Sequence, residues 1–254
     1  MRFRVVILLV VLAASRAVSA VAPSGTAQHL FYSATWNALP VARAELTIEP
    51  DAGDGGTARL AGHAETLPLL DLLWRMRDSF EATVATTPPA PRRYVFRQHE
   101  NSKRSTSTVV RDDGGQRLLG TMEKQGKTAR EAVMAATPRV HDPASVAYLL
   151  RSLPPDLADA ETFDVFIGTK TYRMIARAVG DESVAVAGRA WPARRLHLSL
   201  GLVPVEEGGT TTTQPKLQNA DVWISTGPEH LPLRLTSWTY WGFVSVQLVA
   251  DGAS

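Results

Sequence analysis

Between Ala42 and Glu49 the chain alternates without a break: Ala42, Ala44, Leu46 and Ile48 fall on one side, and Arg43, Glu45, Thr47 and Glu49 on the other. A period of two sends successive side chains to opposite faces of an extended backbone, so this segment is a strand with one wet and one buried face. The pattern returns along most of the chain. Tyr32, Ala34 and Trp36 share a face; Phe80, Ala82 and Val84 alternate with Ser79, Glu81 and Thr83; Leu196, Leu198 and Leu200 oppose Arg195, His197 and Ser199. Turn-forming residues separate the segments at Asn37 to Pro40, Asp51 to Gly56, Pro88 to Pro91, Asp112 to Gly115, Gly126 and Gly168 to Lys170.

The segments number 12 to 14, with no strand–helix–strand spacing and no internal repeat. That is more than one flat sheet holds comfortably, so the expected architecture is mainly β: a single strongly curved antiparallel sheet or open barrel. Residues 21–254 are expected to form one domain, since β folds of roughly 200–250 residues often stay undivided. Residues 201–216, with Glu206-Glu207-Gly208-Gly209 and four threonines, read as a mobile surface loop.

Two stretches break the period. Leu67-Pro68-Leu69-Leu70-Asp71-Leu72-Leu73-Trp74 packs five leucines and a tryptophan into eight residues. His141 to Pro155 is a punctuated helix, with Asp142 as N-cap, Pro143 at the first helical position and Pro154-Pro155 forbidding continuation. Val146, Leu149, Leu150 and Leu153 form one apolar stripe along it. Both pieces are expected as short helices on the concave side of the sheet. There Leu70, Leu73, Trp74, Val146, Leu149 and Leu150 would face any apolar ligand. Asp78, Asp142 and Arg151 are the polar candidates beside them, as structural groups or as contacts to a head group; an Asp78–Arg151 ion pair is one structural option.

The first twenty residues read as a cleaved export signal: Met1-Arg2-Phe3-Arg4 is basic, Val5 to Ala14 is apolar, and Val18-Ser19-Ala20 supplies small residues for cleavage, with a second frame ending at residue 22. Removing Arg2, Arg4 and Arg16 with that segment turns 27 basic against 25 acidic residues into 24 against 25. The basic balance belongs largely to the leader, and no clustered nucleic-acid footprint remains. With no cysteine in the chain, neither a lipidated N-terminus nor a disulfide is expected. No later segment is apolar enough to span a bilayer. The expectation is a periplasmic protein without a transmembrane span in its mature form.

Catalytic patterns are missing. The six histidines stand singly at 29, 63, 99, 141, 197 and 230, with no zinc-helix spacing, so no metal and no cofactor is expected. No Gly-x-Ser-x-Gly elbow or Ser-x-x-Lys pair occurs. A hydrolase would have to be assembled from residues distant in sequence, through clustering of Asp78, His141 or Arg151 in one polar cleft.

Several segments taken in order resemble a family of Gram-negative envelope proteins catalogued as domain of unknown function 3108. They are Phe31 to Trp36 with the strand through Ala44, Ala64-Glu65-Thr66, Arg77 to Glu81, Asp142 to Ser145 running into Tyr148-Leu149-Leu150-Arg151, Trp223-Ile224-Ser225, and Leu231 to Leu235. The chain carries Ala42 or Ala44 where the family typically has a glycine. The resemblance implies a periplasmic, mostly β protein and assigns no activity; its expected architecture is similar to that of periplasmic lipoprotein carriers. The leading functional expectation is a non-catalytic envelope protein that binds a lipid-like ligand, with lipid, a lipoprotein or other envelope proteins as partners. The alternative is an assembly factor with a filled core, acting by protein–protein contacts.

Overall fold

The computed structural model describes residues 16–17, 27–50, 56–153, 160–203, 218–239 and 242–253. Two sequence readings therefore lie mostly outside the described residues: the export signal, and the loop at 201–216 beyond residue 203. The remainder is one sheet of 15 strands. The first eight form a meander: β1 (Gln28–Trp36), β2 (Leu39–Pro50), β3 (Thr57–Thr66), β4 (Arg77–Thr86), β5 (Pro89–Glu100), β6 (Lys103–Arg111), β7 (Arg117–Lys124) and β8 (Lys127–Ala135). A two-residue strand, β9 (Val140–His141), leads into the helix α1 (Pro143–Leu150). The second meander comprises β10 (Glu161–Ile167), β11 (Lys170–Val186), β12 (Arg189–Leu202), β13 (Gln218–Ser225), β14 (Pro232–Thr239) and β15 (Gly242–Ala253).

Strand β15 pairs antiparallel with β1, joining the two meanders into a single ribbon. All pairings in it are antiparallel except β9 with β10, so the sheet is mixed rather than purely antiparallel. The expected count of 12 to 14 falls short because β9 is too brief to show a period; Arg16–Ala17 makes a further parallel pair with Arg151–Ser152, separate from the sheet. In the opposite sense, the alternation lapses between Val179 and Ser183 as if two strands met there, yet both sides belong to one strand, β11. A bulge between Ala178 and Gly180 carries the strand through the apparent break, and Gly180 takes a φ of 150° that a side chain would resist.

The ribbon rolls until its two ends meet through side chains. Gly168, just after β10, lies against Met122, Ser107 and the Thr121 carbonyl, and a Cβ placed on Gly120 would collide with the Gly168 carbonyl oxygen and the Phe166 ring. The seam therefore needs a bare backbone at position 120. Gly120→Ala should cost about 2 kcal/mol of stability through forced displacement of the seam, measured as a shift of the urea midpoint. An unchanged midpoint would mean that the two edges are not held together there.

Helix α1 runs inside this roll. Seven of its eight residues are buried, and they merge with the inward faces of both meanders into one apolar core. A helix buried on all sides is a plug, not a lid with one wet face. The Leu67–Trp74 piece corrects the other half of the expectation. It contains only a 3₁₀ turn, Pro68–Leu70, with no buried residue in it, and it lies at the rim of the roll instead of on its concave side. Leucine content there does not report burial: only Trp74 packs onto the sheet, over Ala42, Ala64 and Met76, while Leu69, Leu72 and Leu73 are exposed.

Candidate functional site

The N-terminus of α1 is built from Asp142 and Ser145. The Asp142 carboxylate accepts a hydrogen bond from the Ser145 amide at 2.6 Å, and the Ser145 hydroxyl accepts one from the Asp142 amide at 3.0 Å. This reciprocal box satisfies amides that a buried helix end would otherwise leave bare. Pro143 adds no unsatisfied donor at the first position.

Around this end the fold gathers acidic groups in a dry setting. Asp78 on β4 and Tyr94 on β5 are both buried, and the Tyr94 phenol is held far above its ordinary range by burial and by the Asp142 and Asp78 carboxylates. Burial pushes Asp78 up to about 7 against the pull of the His99 amide, which donates to its Oδ1 at 2.8 Å. Burial likewise raises Asp142 to about 6. The Tyr94 hydroxyl and the Oδ2 atoms of Asp78 and Asp142 have no hydrogen-bond partner. Such groups are costly when charged, and the cost is why their protonated forms are favoured.

The proposed hydrolytic constellation is not assembled. His141 stands edge-on to Phe163 with ring centroids 5.7 Å apart, and burial lowers its pKa to about 4 against the Pro138 carbonyl. Arg151 lies at the other end of α1, where it donates to the Glu229 carbonyl at 2.5 Å and reaches Gln28 at 3.4 Å. Its charge there suits the negative end of the helix dipole. Asp78 thus takes its hydrogen bond from a backbone amide and not from Arg151.

Of the apolar candidates, Val146 and Leu150 are core residues and Leu149 is partly buried against that core. Val146 has 0% exposure, which leaves no water-sized void beside it. Leu70 and Trp74 are half-buried, Trp74 packing over Ala42, Ala64 and Met76. Leu73 is 82% exposed, and so are two leucines outside the expected set, Leu69 (82%) and Leu72 (89%).

These leucines project from a pinned loop. The Asp71 carboxylate accepts from the Thr66 hydroxyl at 2.7 Å and pairs with Arg77 at 2.6 Å, and Arg77 also pairs with Glu65 at 3.1 Å. The Arg77 hydrogen bonds, then the Thr66 hydroxyl, hold the Asp71 pKa below the carboxylate range. The Leu67 amide bonds to the Val41 carbonyl, fastening the loop to β2. Sequence reasoning missed this clasp; an acid and an arginine six residues apart around an apolar run were its only trace.

The register places more apolar side chains on the same rim. The β1–β2 turn carries exposed Leu39, and the β14–β15 turn beside it carries exposed Trp238. The Asn37 amide donates to the Phe243 carbonyl at 2.8 Å, and the Phe243 amide donates to Asn37 Oδ1 at 2.9 Å. Trp238 rests against Phe243, ring centroids 5.0 Å apart. A connected arc of the rim thus shows Trp238, Leu39, Leu69, Leu72 and Leu73 to solvent.

Among solved structures, the barrel-like protein of domain of unknown function DUF1849 from Brucella abortus is similar in fold. It has a TM-score of 0.54 at 8% identity, over 91% of this chain and 98% of that one. LprF from Mycobacterium bovis matches at a TM-score of 0.31 and 11% identity, over 97% of this chain and 93% of that one. No curated protein matches the chain. The family model for the proteins of unknown function DUF3108 matches residues 32–249, from the first strand of the ribbon to the last. The chain belongs to the DUF3108 family.

Proposed function

We propose that this protein is an exported, non-catalytic envelope protein that engages a lipid-like partner on the leucine loop at its rim, with α1 as a structural plug. The observation that carries the reading is the exposure of Leu69, Leu72 and Leu73 on a loop held rigid by Asp71, Thr66 and Arg77. Three large apolar side chains displayed together are expensive to keep in water, and a pinned loop cannot bury them by collapse. The filled surroundings of Val146 favour the rim over the interior as the place of contact. Among the described residues no helix is long and apolar enough to cross a membrane. Export rests on the leader-like residues 1–20 and gives the periplasm as the compartment.

Titration with a monomeric lysophospholipid, followed by tryptophan fluorescence, tests the reading. Leu72→Ser with Leu73→Ser should weaken binding at least about tenfold, since each leucine contributes roughly 1.5–3 kcal/mol when buried. Binding that ignores the loop but responds to Val146→Ala would return the ligand to the interior. The packed core also favours a second reading, an assembly factor acting by protein contacts at the same rim. Loss of a specific cross-linked partner in the Leu72→Ser/Leu73→Ser variant, without any lipid binding by the parent, would favour it.

A further inference from the structure

Following the strand register around the rim, the apolar arc gives way to a basic one. The order of turns is β14–β15, β1–β2, β3–β4, β5–β6, β7–β8 and β10–β11, and all lie at one end of the roll, where the register also brings the end of β12 and the start of β13, whose connection lies outside the described residues. The first three carry Trp238, Leu39 and the leucine loop. From the end of that loop onward the exposed basic residues at the tips are Arg75, Lys103, Arg104, Lys124, Lys127 and Lys170. Among the described residues, Glu123 is the exposed acid at these tips. Asp71 and Glu65, by contrast, are engaged with Arg77.

The tips are tied into one surface. Asn101 accepts from the Arg75 amide through its side chain at 2.8 Å and donates its own amide to the Arg75 carbonyl at 2.7 Å. The Gln125 amide bonds to the Arg104 carbonyl at 3.0 Å, and Gly168 packs against Met122 across the seam. The apolar and basic arcs therefore move together.

We infer that this end of the barrel docks on an anionic lipid bilayer, the leucines and Trp238 entering the headgroup boundary while the basic tips bind lipid phosphates. The inference rests on the lipid-like partner proposed above and names its source as a membrane surface. Two features favour a bilayer over a protein groove. The apolar side chains stand on separate projecting turns, which penetrate a fluid surface but leave gaps against a rigid one. Among the described residues the exposed charge beside them is predominantly basic, six Lys or Arg against Glu123, which is complementary to anionic headgroups. Tryptophan at such a boundary places its ring at the headgroup level.

Flotation with vesicles of the purified mature chain, from residue 21 onward, tests this. Binding should be strong to vesicles of phosphatidylglycerol with phosphatidylethanolamine, and about tenfold weaker to phosphatidylcholine or at high salt. Lys103→Glu with Arg104→Glu should weaken vesicle binding at least about fivefold while leaving lysophospholipid binding unchanged. Leu72→Ser with Leu73→Ser should weaken both. Equal binding to neutral and anionic vesicles, or no effect of the charge reversals, overturns the inference. Lysophospholipid binding without any vesicle binding overturns it too, but keeps the proposed function; failure of both assays removes both. Dimerisation that the leucine substitutions abolish, with no vesicle binding, would mean that a second copy covers the rim.

Discussion

Asp78→Asn should stabilise the protein by up to about 4 kcal/mol at pH 8 and by little at pH 4. The carboxyl rises from 3.8 to about 7 because it is buried with one oxygen unpartnered, so ionisation is opposed in the folded state and free in the unfolded one. A raised carboxyl binds its proton more tightly when folded. Its contribution is therefore fully present below about pH 4 and lost as pH climbs through 7. Asparagine retains an oxygen acceptor for the His99 amide and never ionises. Asp142 acts in the same sense up to about 6. His141 acts in the other: lowered from 6.5 to about 4, it contributes fully above 6.5 and loses that as pH falls through 4. Two carboxyls against one imidazole leave the wild type losing about 3 kcal/mol between pH 4 and pH 7. Urea unfolding of both proteins at pH 4 and pH 8 measures it. Equal gains at the two pH values would show that Asp78 is not ionised against a cost.

The second large effect separates two leucine-rich pieces that look alike on paper. Leu150→Ala should cost about 3 kcal/mol, because Leu150 is buried among α1 neighbours and strand residues that cannot collapse into the gap. Leu72→Ser with Leu73→Ser should change stability by less than about 0.5 kcal/mol, as both residues are already in water. The urea midpoints of the two variants, measured under one condition, give the comparison. A costless Leu150→Ala would mean that α1 sits loosely in the barrel, and interior carriage of a ligand would again be the better account.

Wherever a strand packs one face inward, its period is legible in the amino-acid sequence. Leu196, Leu198 and Leu200 are buried between half-buried Arg195, His197 and Ser199, as their alternation requires. The cap of α1 is equally legible, since Asp142, Pro143 and Ser145 act within one turn. The leucine loop misleads because composition carries no address. Leu67 to Trp74 is apolar enough for a core, yet the clasp of Asp71 by Thr66 and Arg77 turns it outward at the rim. Charge alone suggests Arg151 beside Asp78, and the length of α1 keeps them at its opposite ends.

The candidate site divides along the same line. Sequence alone determined the strand alternation, the helix and its cap, and the positions of the turns, because each depends on residues within a few positions of one another. Tertiary structure decided which turns share an end, that Asp78, Tyr94 and Asp142 meet in the interior, and that Trp238 stands in line with Leu39 and Leu72. Those juxtapositions follow from pairings between the far ends of the chain, such as β15 on β1, and from the meeting of Gly120 with Gly168. Local periodicity is indifferent to both: it sets which face of each strand turns inward, while the roll of the whole ribbon sets what that face meets.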